Sequence, residues 1–239
     1  MSELTWNFGF TRQLLFKKIR SRHFEATASL SSVLERMHHA RYHFHQVSTP
    51  WTELLAKAEN PFERLRILGW RATDEERDQQ REEAIKRSAN IVACVHALHA
   101  VPDTFAFALY HCLEMPKREN ESGINVTSVC KWLESQPGAE AFRDVLNELV
   151  ASKSYAHLSA LSNHAKHRSI IEDKVFSDAT GTDPVPLRLT FGEFSYKDVV
   201  YTKQEALPLL QTEFDRINPI VISAGGLINA YLSSRPDSL

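Results

Sequence analysis

Residues 88–105 read SANIVACVHALHAVPDTF. Ile91, Val92, Cys94, Val95, Leu98, Val101 and Phe105 place apolar side chains on every side of a helix at 100° per residue, and a helix apolar all round belongs in the middle of a bundle. Upstream, Thr73-Asp74-Glu75-Glu76 forms a capping box that opens the same helix. The charged run from Asp74 to Arg87 reads as its solvated end. Downstream, Pro102 removes a helical hydrogen bond and crowds the preceding turn, so a kink or break is expected there, with apolar sequence resuming to Leu113.

Working outward, helix signals dominate. Phe24 to Val47 carries apolar residues at helical spacing. Thr49-Pro50 and Asn60-Pro61 each offer a cap followed by proline at the first helical position, which predicts two short helices. Further helices are expected over Thr127–Ser135, over Ala139–Ala151 and from Ser154 to Ile171, with Gln136-Pro137-Gly138 as a break. Ser177 to Pro186 reads as a loop. The period then changes: Leu187, Leu189 and Phe191 alternate with polar residues, and Val199-Val200-Tyr201 follows a turn at Ser195–Asp198, the pattern of a β-hairpin. Thr202 to Glu205 resembles a capping box opening a last helix toward Leu232, made irregular by Pro208 and Pro219. The fold expected is mostly α: a multi-helix bundle over residues 1–239 as a single helical domain, one small β-hairpin inserted at 187–203, and a closing helix at 204–235.

Composition narrows the function classes. With 239 residues, 43% of them apolar, the chain can bury a core without disulfides. A net charge of −2 supplies no global attraction to nucleic acid, so a nucleic-acid site must be a local patch. Cys94, Cys112 and Cys130 form no CxxC pair, and with no secretory signal read at the N-terminus they point to a reducing, cytoplasmic setting. Residues 89–113 come closest to a membrane span but contain His96, His99, Pro102, Asp103 and His111, so no membrane association is expected. Walker A, GxGxxG and GxSxG motifs are absent from the sequence, and no cofactor is expected. Gly225-Gly226 reads as a place of close helix packing.

Four polar constellations stand out. Asn163 and His167 share a helix face at i and i+4, while His164 and Arg168 pair on an adjoining one. His99 and Asp103 have the same spacing, and a carboxylate that orients an imidazole is a recurrent part of acid–base sites; the structural alternative makes Asp103 the cap of a broken helix. Should the two helices pack together, these four residues would converge. The run from Met37 to His45 holds His39 and His43 at i, i+4, which leaves a mononuclear metal site open, although no second Glu-x-x-His accompanies it. Finally Arg12, Lys17, Lys18, Arg20 and Arg22 form a basic stretch interleaved with Phe16 and Phe24, readable either as solvated helix charge or as a phosphate-contacting arm.

The run Leu161-Ser162-Asn163-His164-Ala165-Lys166-His167 resembles the signature of the HEPN superfamily of helical nucleases and nucleotide-binding domains. In that motif an arginine precedes a polar residue, and a histidine follows four to six residues after the arginine. Asn163 falls on the polar position, His167 on the histidine and Ser162 on the arginine. The resemblance implies metal-independent RNA chemistry with His167 in proton transfer; on an RNA-acting reading of this chain, Asn163 positions it and Lys166, Arg168 or the arm near Arg20 contacts phosphate. Serine in place of arginine removes the fixed cation at the developing charge. Two functions therefore stand side by side: a degenerate, HEPN-like binding or interaction domain, homodimeric, or an RNA- or nucleotide-directed protein with His167 as acid–base residue. A helical metalloprotein is the third.

Overall fold

The computed structural model describes residues 5–19, 21–170, 172–177 and 185–237. Arg20, Ile171 and most of the loop expected between Ser177 and Pro186 lie outside the described residues. The fold is mostly α, 71% helical, with a small antiparallel strand set before the final helix. The helices are α1 (Phe8–Lys18), α2 (His23–Ala58), α3 (Pro61–Ile67), α4 (Asp74–Cys112), α5 (Val126–Leu133), α6 (Glu140–Val150), α7 (Lys153–His167) and α8 (Ala206–Ser234), with a 3-10 turn at Glu121–Gly123. The strands are β1 (Asp173–Phe176), β2 (Arg188–Phe191), β3 (Phe194–Tyr196), β4 (Val199–Tyr201) and β5 (Gln204–Glu205). Backbone contacts group the chain into two compact units: one of residues 1–38, 98–156 and 213–239, the other of residues 39–97 and 157–212.

In the first unit α1, the first half of α2, the second half of α4, α5, α6 and most of α8 surround Leu15, Leu30, Val33, Phe105, Leu109, Leu146 and Ile228, all fully buried. Trp6 and Thr11 are tied to α8. Trp6 Nε1 donates to Thr11 Oγ1 at 2.7 Å, and Thr11 Oγ1 donates to Asn229 Oδ1 at 2.7 Å. The Trp6 indole lies where a side chain on Gly225 would stand. Close packing, read from sequence for Gly225-Gly226, is met at Gly225 alone, with Trp6 as the neighbour; nothing lies within 4 Å of a Cβ built on Gly226.

In the second unit the second half of α2, α3, the first half of α4, the end of α7 and the strands enclose Val47, Trp51, Ile91, Leu158, Leu161, Leu189 and Phe191. Strand β2 pairs antiparallel with β1 (Val175 with Leu189) and with β5 (Phe191 with Gln204). Strands β3 and β4 make a separate hairpin with Phe194 opposite Tyr201. Its two-residue turn, Lys197-Asp198, has φ of 49° and 62°. Both values are left-handed, as a type I′ turn demands.

Prolines stop less than the sequence reading expected. Pro50 lies inside α2 and Pro102 inside α4, so Phe24–Val47 and the short helix after Thr49-Pro50 are one helix, and α4 runs unbroken to Cys112. Packing explains both: Val47 and Trp51 are buried one turn apart around Pro50, and Val101 and Phe105 around Pro102, so apolar burial on either side offsets the missing hydrogen bond. Pro208 occupies the first turn of α8, where the missing N–H has no helical partner in any case. Thr202–Glu205 is no capping box, because Gln204 and Glu205 pair with β2 instead. The strand set is larger than one hairpin: β2 and β4 do not pair with each other, and β1 and α1 are elements the sequence reading did not predict. On length and composition α4 is apolar enough to cross a membrane, and 56% of its most apolar window is buried within the protein.

Helix stops follow backbone chemistry. After α3, Gly69 at φ +87° lets its N–H reach Arg66 O and the Trp70 N–H reach Leu65 O. After α4, Glu114 does the same at φ 48°, with its N–H on His111 O and the Met115 N–H on Tyr110 O. Both are Schellman stops, one built on glycine and one on Glu114, whose carboxylate accepts from Arg235 at 2.6 Å.

Candidate functional site

Ser152 starts α7: its Oγ accepts the Tyr155 N–H at 2.8 Å and its carbonyl the Ala156 N–H at 3.0 Å. At the other end, His164, Lys166 and His167 put basic side chains against the negative end of the helix dipole. The motif residues occupy this last stretch and face different ways.

Ser162 is fully buried, and its Oγ lies 2.9 Å from His96 Nδ1 on α4. Burial, with the nearby Lys166 ammonium second, holds the His96 imidazole below its ordinary range, which favours the neutral ring. Asn163 turns back on its own helix, Nδ2 donating to Ser159 O at 2.9 Å and to Ser159 Oγ at 3.3 Å. His167, the last residue of α7, is exposed and shares no hydrogen bond with Asn163. His164 Nδ1 meets Ser169 O at 2.7 Å, closing the helix end, and its ring sits edge-on to Phe194. Arg168 stands over the Tyr196 ring, 5.6 Å from its centroid, with an NH group 3.4 Å from Ser195 O. Lys197 approaches the same ring at 5.5 Å. His157, one face earlier on α7, is 7% exposed between the edges of Phe194 and Tyr201, which stack on each other at 5.1 Å, and burial pushes its ring toward the neutral form.

His99 and Asp103 belong to the first unit, and Asn163 and His167 to the second. The His99 ring stacks on Tyr155 with centroids 6.1 Å apart, and the Tyr155 hydroxyl donates to His99 O at 3.2 Å. Burial, then the charges of Asp103 and Glu213, drive the Tyr155 phenol well above its ordinary range. Asp103 does not cap a second half of α4, since that helix is unbroken; its Oδ1 accepts the Val126 N–H, at 3.1 Å, in the first turn of α5, whose N-cap is Asn125. Beside this group lies a carboxylate the sequence reading passed over. Glu213 is fully buried and accepts from Ser152 Oγ (2.9 Å), Ser154 Oγ and the Arg216 guanidinium (2.8 Å). Arg216 also donates to Glu148 O and Leu149 O at the end of α6. Every acceptor and donor of that cluster is engaged, the pattern of a structural clasp.

Of the metal-reading residues, His43 Nδ1 lies 2.8 Å from Asn90 Oδ1, and among the described residues no three His, Cys, Asp or Glu side chains gather as a metal set. Two adjoining clefts, of about 640 and 530 Å³, open in the second unit between α2, α3 and α4 over Trp51, Leu54 and Ile67; none of His99, Asp103, Asn163, Lys166, His167 or Arg168 lines them. No protein-family model, no curated protein and no solved structure matches the chain. Nothing in the sequence flagged the His96–Ser162 pair, because helix-to-helix register cannot be read from either helix alone.

Proposed function

We propose that this chain is a helical binding domain whose α7 motif is a degenerate, non-catalytic form of the HEPN-like arrangement. One observation carries the reading: Ser162, in the arginine's position, is fully buried and joined to His96, while Asn163 is bonded to Ser159 and His167 stands exposed at the helix end. General acid–base catalysis needs its groups within hydrogen-bond reach of one reacting atom. Here the three side chains serve three different neighbourhoods. Association as a homodimer belongs to the same proposal and is read by light scattering.

The test is incubation of the protein with mixed-sequence RNA in chelator, beside His167→Ala. Intact RNA in both lanes is the expected result. Cleavage by the parent chain that disappears in His167→Ala would overturn the proposal in favour of a metal-independent nuclease.

A further inference from the structure

The first unit carries a feature that the α7 reading leaves unused. From Thr5 to Phe24 the sequence holds Arg12, Lys17, Lys18, Arg20 and Arg22 and no acidic residue, within a chain whose net charge is −2. Helix α1 packs Leu14 and Leu15 inward and turns Arg12, Phe16 and Lys17 to solvent. Across the corner to α2, Phe16 is 68% exposed and Phe24 is 77% exposed. His23 joins them: its ring lies 5.4 Å from that of Phe16, edge-on, and 4.0 Å from that of Phe24, tilted by 37°. Three aromatic rings thus form one contiguous cluster, Phe16 and Phe24 in solvent and His23 half-buried between them, with Lys17 beside Phe16 and Glu25 beside Phe24 in the sequence.

We propose that this corner binds single-stranded nucleic acid, with bases against Phe16, His23 and Phe24 and phosphates against Arg12 and Lys17. Aromatic rings in a basic setting are the general means of holding an unpaired strand, because every base offers a flat π-face and every linkage a negative charge. Some of the local charge is answered within the protein. Lys18 pairs with Asp237 at 2.5 Å, and Arg22 donates to Met115 O at 2.7 Å and lies over Tyr110. Asp237 also acts on Lys17, and Arg12 lies on the same exposed face as Phe16. An anionic membrane fits this surface less well: a helix lying in a bilayer interface needs a free apolar stripe, and α1 has committed its leucines to the core.

Fluorescence anisotropy with labelled oligouridylate and oligothymidylate of about 20 nucleotides at low salt tests this, and a preference between the two identifies RNA or DNA as the source. Binding is expected to weaken about tenfold or more in Phe16→Ala/Phe24→Ala. Arg12→Glu/Lys17→Glu is expected to weaken it too and to flatten its salt dependence. All four side chains are exposed, and unchanged thermal melts confirm intact folds. Four results overturn the proposal: absence of binding to either oligonucleotide, undiminished binding by both double variants, loss only in Lys166→Glu/Arg168→Glu, or capture by phosphatidylserine vesicles without oligonucleotide competition. The α7 proposal is decided separately, by cleavage.

Discussion

Ser162 Oγ and His96 Nδ1 stand 2.9 Å apart and join α7 to α4 through a hydroxyl that no solvent reaches. A neutral hydrogen bond of this kind contributes about 1 kcal/mol, and leaving one partner unsatisfied in the interior costs somewhat more. Ser162→Ala is therefore expected to lower Tm by roughly 2–4 °C, the shift that about 1 kcal/mol produces in a chain of this size. Calorimetry on Ser162→Ala, His96→Ala and the double variant checks the pairing. Additive losses would mean the two groups do not interact.

Acid should destabilise the fold through its imidazoles. His96, His111 and His157 are each held below the ordinary imidazole range, in every case chiefly by burial; around His111 the positive Arg22 adds to the effect, and Glu121 and Glu25 oppose it. The unfolded chain takes up these protons near the ordinary value of about 6.5, and the folded chain takes them only at lower pH. Their contribution is thus fully present above about pH 6.5 and is lost as pH falls through the folded values. Denaturant titrations at a series of pH values should show stability declining on the acid side. His157→Phe should flatten that decline, and an unchanged slope would refute the assignment.

Glu213 and Arg216 form a clasp that ties α8 to the end of α6 and the start of α7. Breaking a buried ion pair from one side costs about 3–5 kcal/mol, because the remaining charge loses its partner. Glu213→Ala is expected to lower Tm by roughly 10 °C, with Glu213→Gln intermediate because it keeps the acceptor oxygen. Matching melts for the parent and Glu213→Ala would show that the clasp adds nothing.

Two glycines should fail for different reasons when changed to alanine. At Gly225 an added Cβ falls 2.2 Å from the Trp6 ring, a contact the packing cannot absorb without moving the indole, at a cost of about 1–3 kcal/mol. At Gly69 nothing lies within 4 Å of an added Cβ, so the penalty is purely the left-handed backbone, about 1–2 kcal/mol. Adding Trp6→Ala should rescue Gly225→Ala and leave Gly69→Ala untouched. Chemical denaturation of the two pairs distinguishes the mechanisms.

How much of this was legible in the sequence follows from the range over which each signal acts. The apolar run from Ile91 to Phe105 specified a helix, and the alternation from Leu187 to Phe191 specified a strand, because both patterns repeat within a few residues. Pro50 and Pro102 misled for the converse reason. Their local cost is visible in sequence, whereas the burial of Val47, Trp51, Val101 and Phe105 that outweighs it is tertiary. At the candidate site, Ser162, Asn163 and His167 were legible as a motif. Their divergence was not, since it depends on His96 sixty-six positions away and on an Asn163 amide that prefers its own helix.

The bond from Thr11 to Asn229 spans 218 positions of sequence and is reinforced by Trp6 against Gly225 and Lys18 against Asp237. Contacts of such separation form late, because the loop must close before they are rewarded. On the ribosome, α1 emerges before α8 and must wait for it to complete these contacts, since domains are completed only as their last elements appear. Until α8 has been made, then, Trp6 and Thr11 lack the partners that hold them in the finished fold. The order of synthesis thus leaves α1 waiting on the element made last among those described, and exposes its side chains to chaperones in the interval.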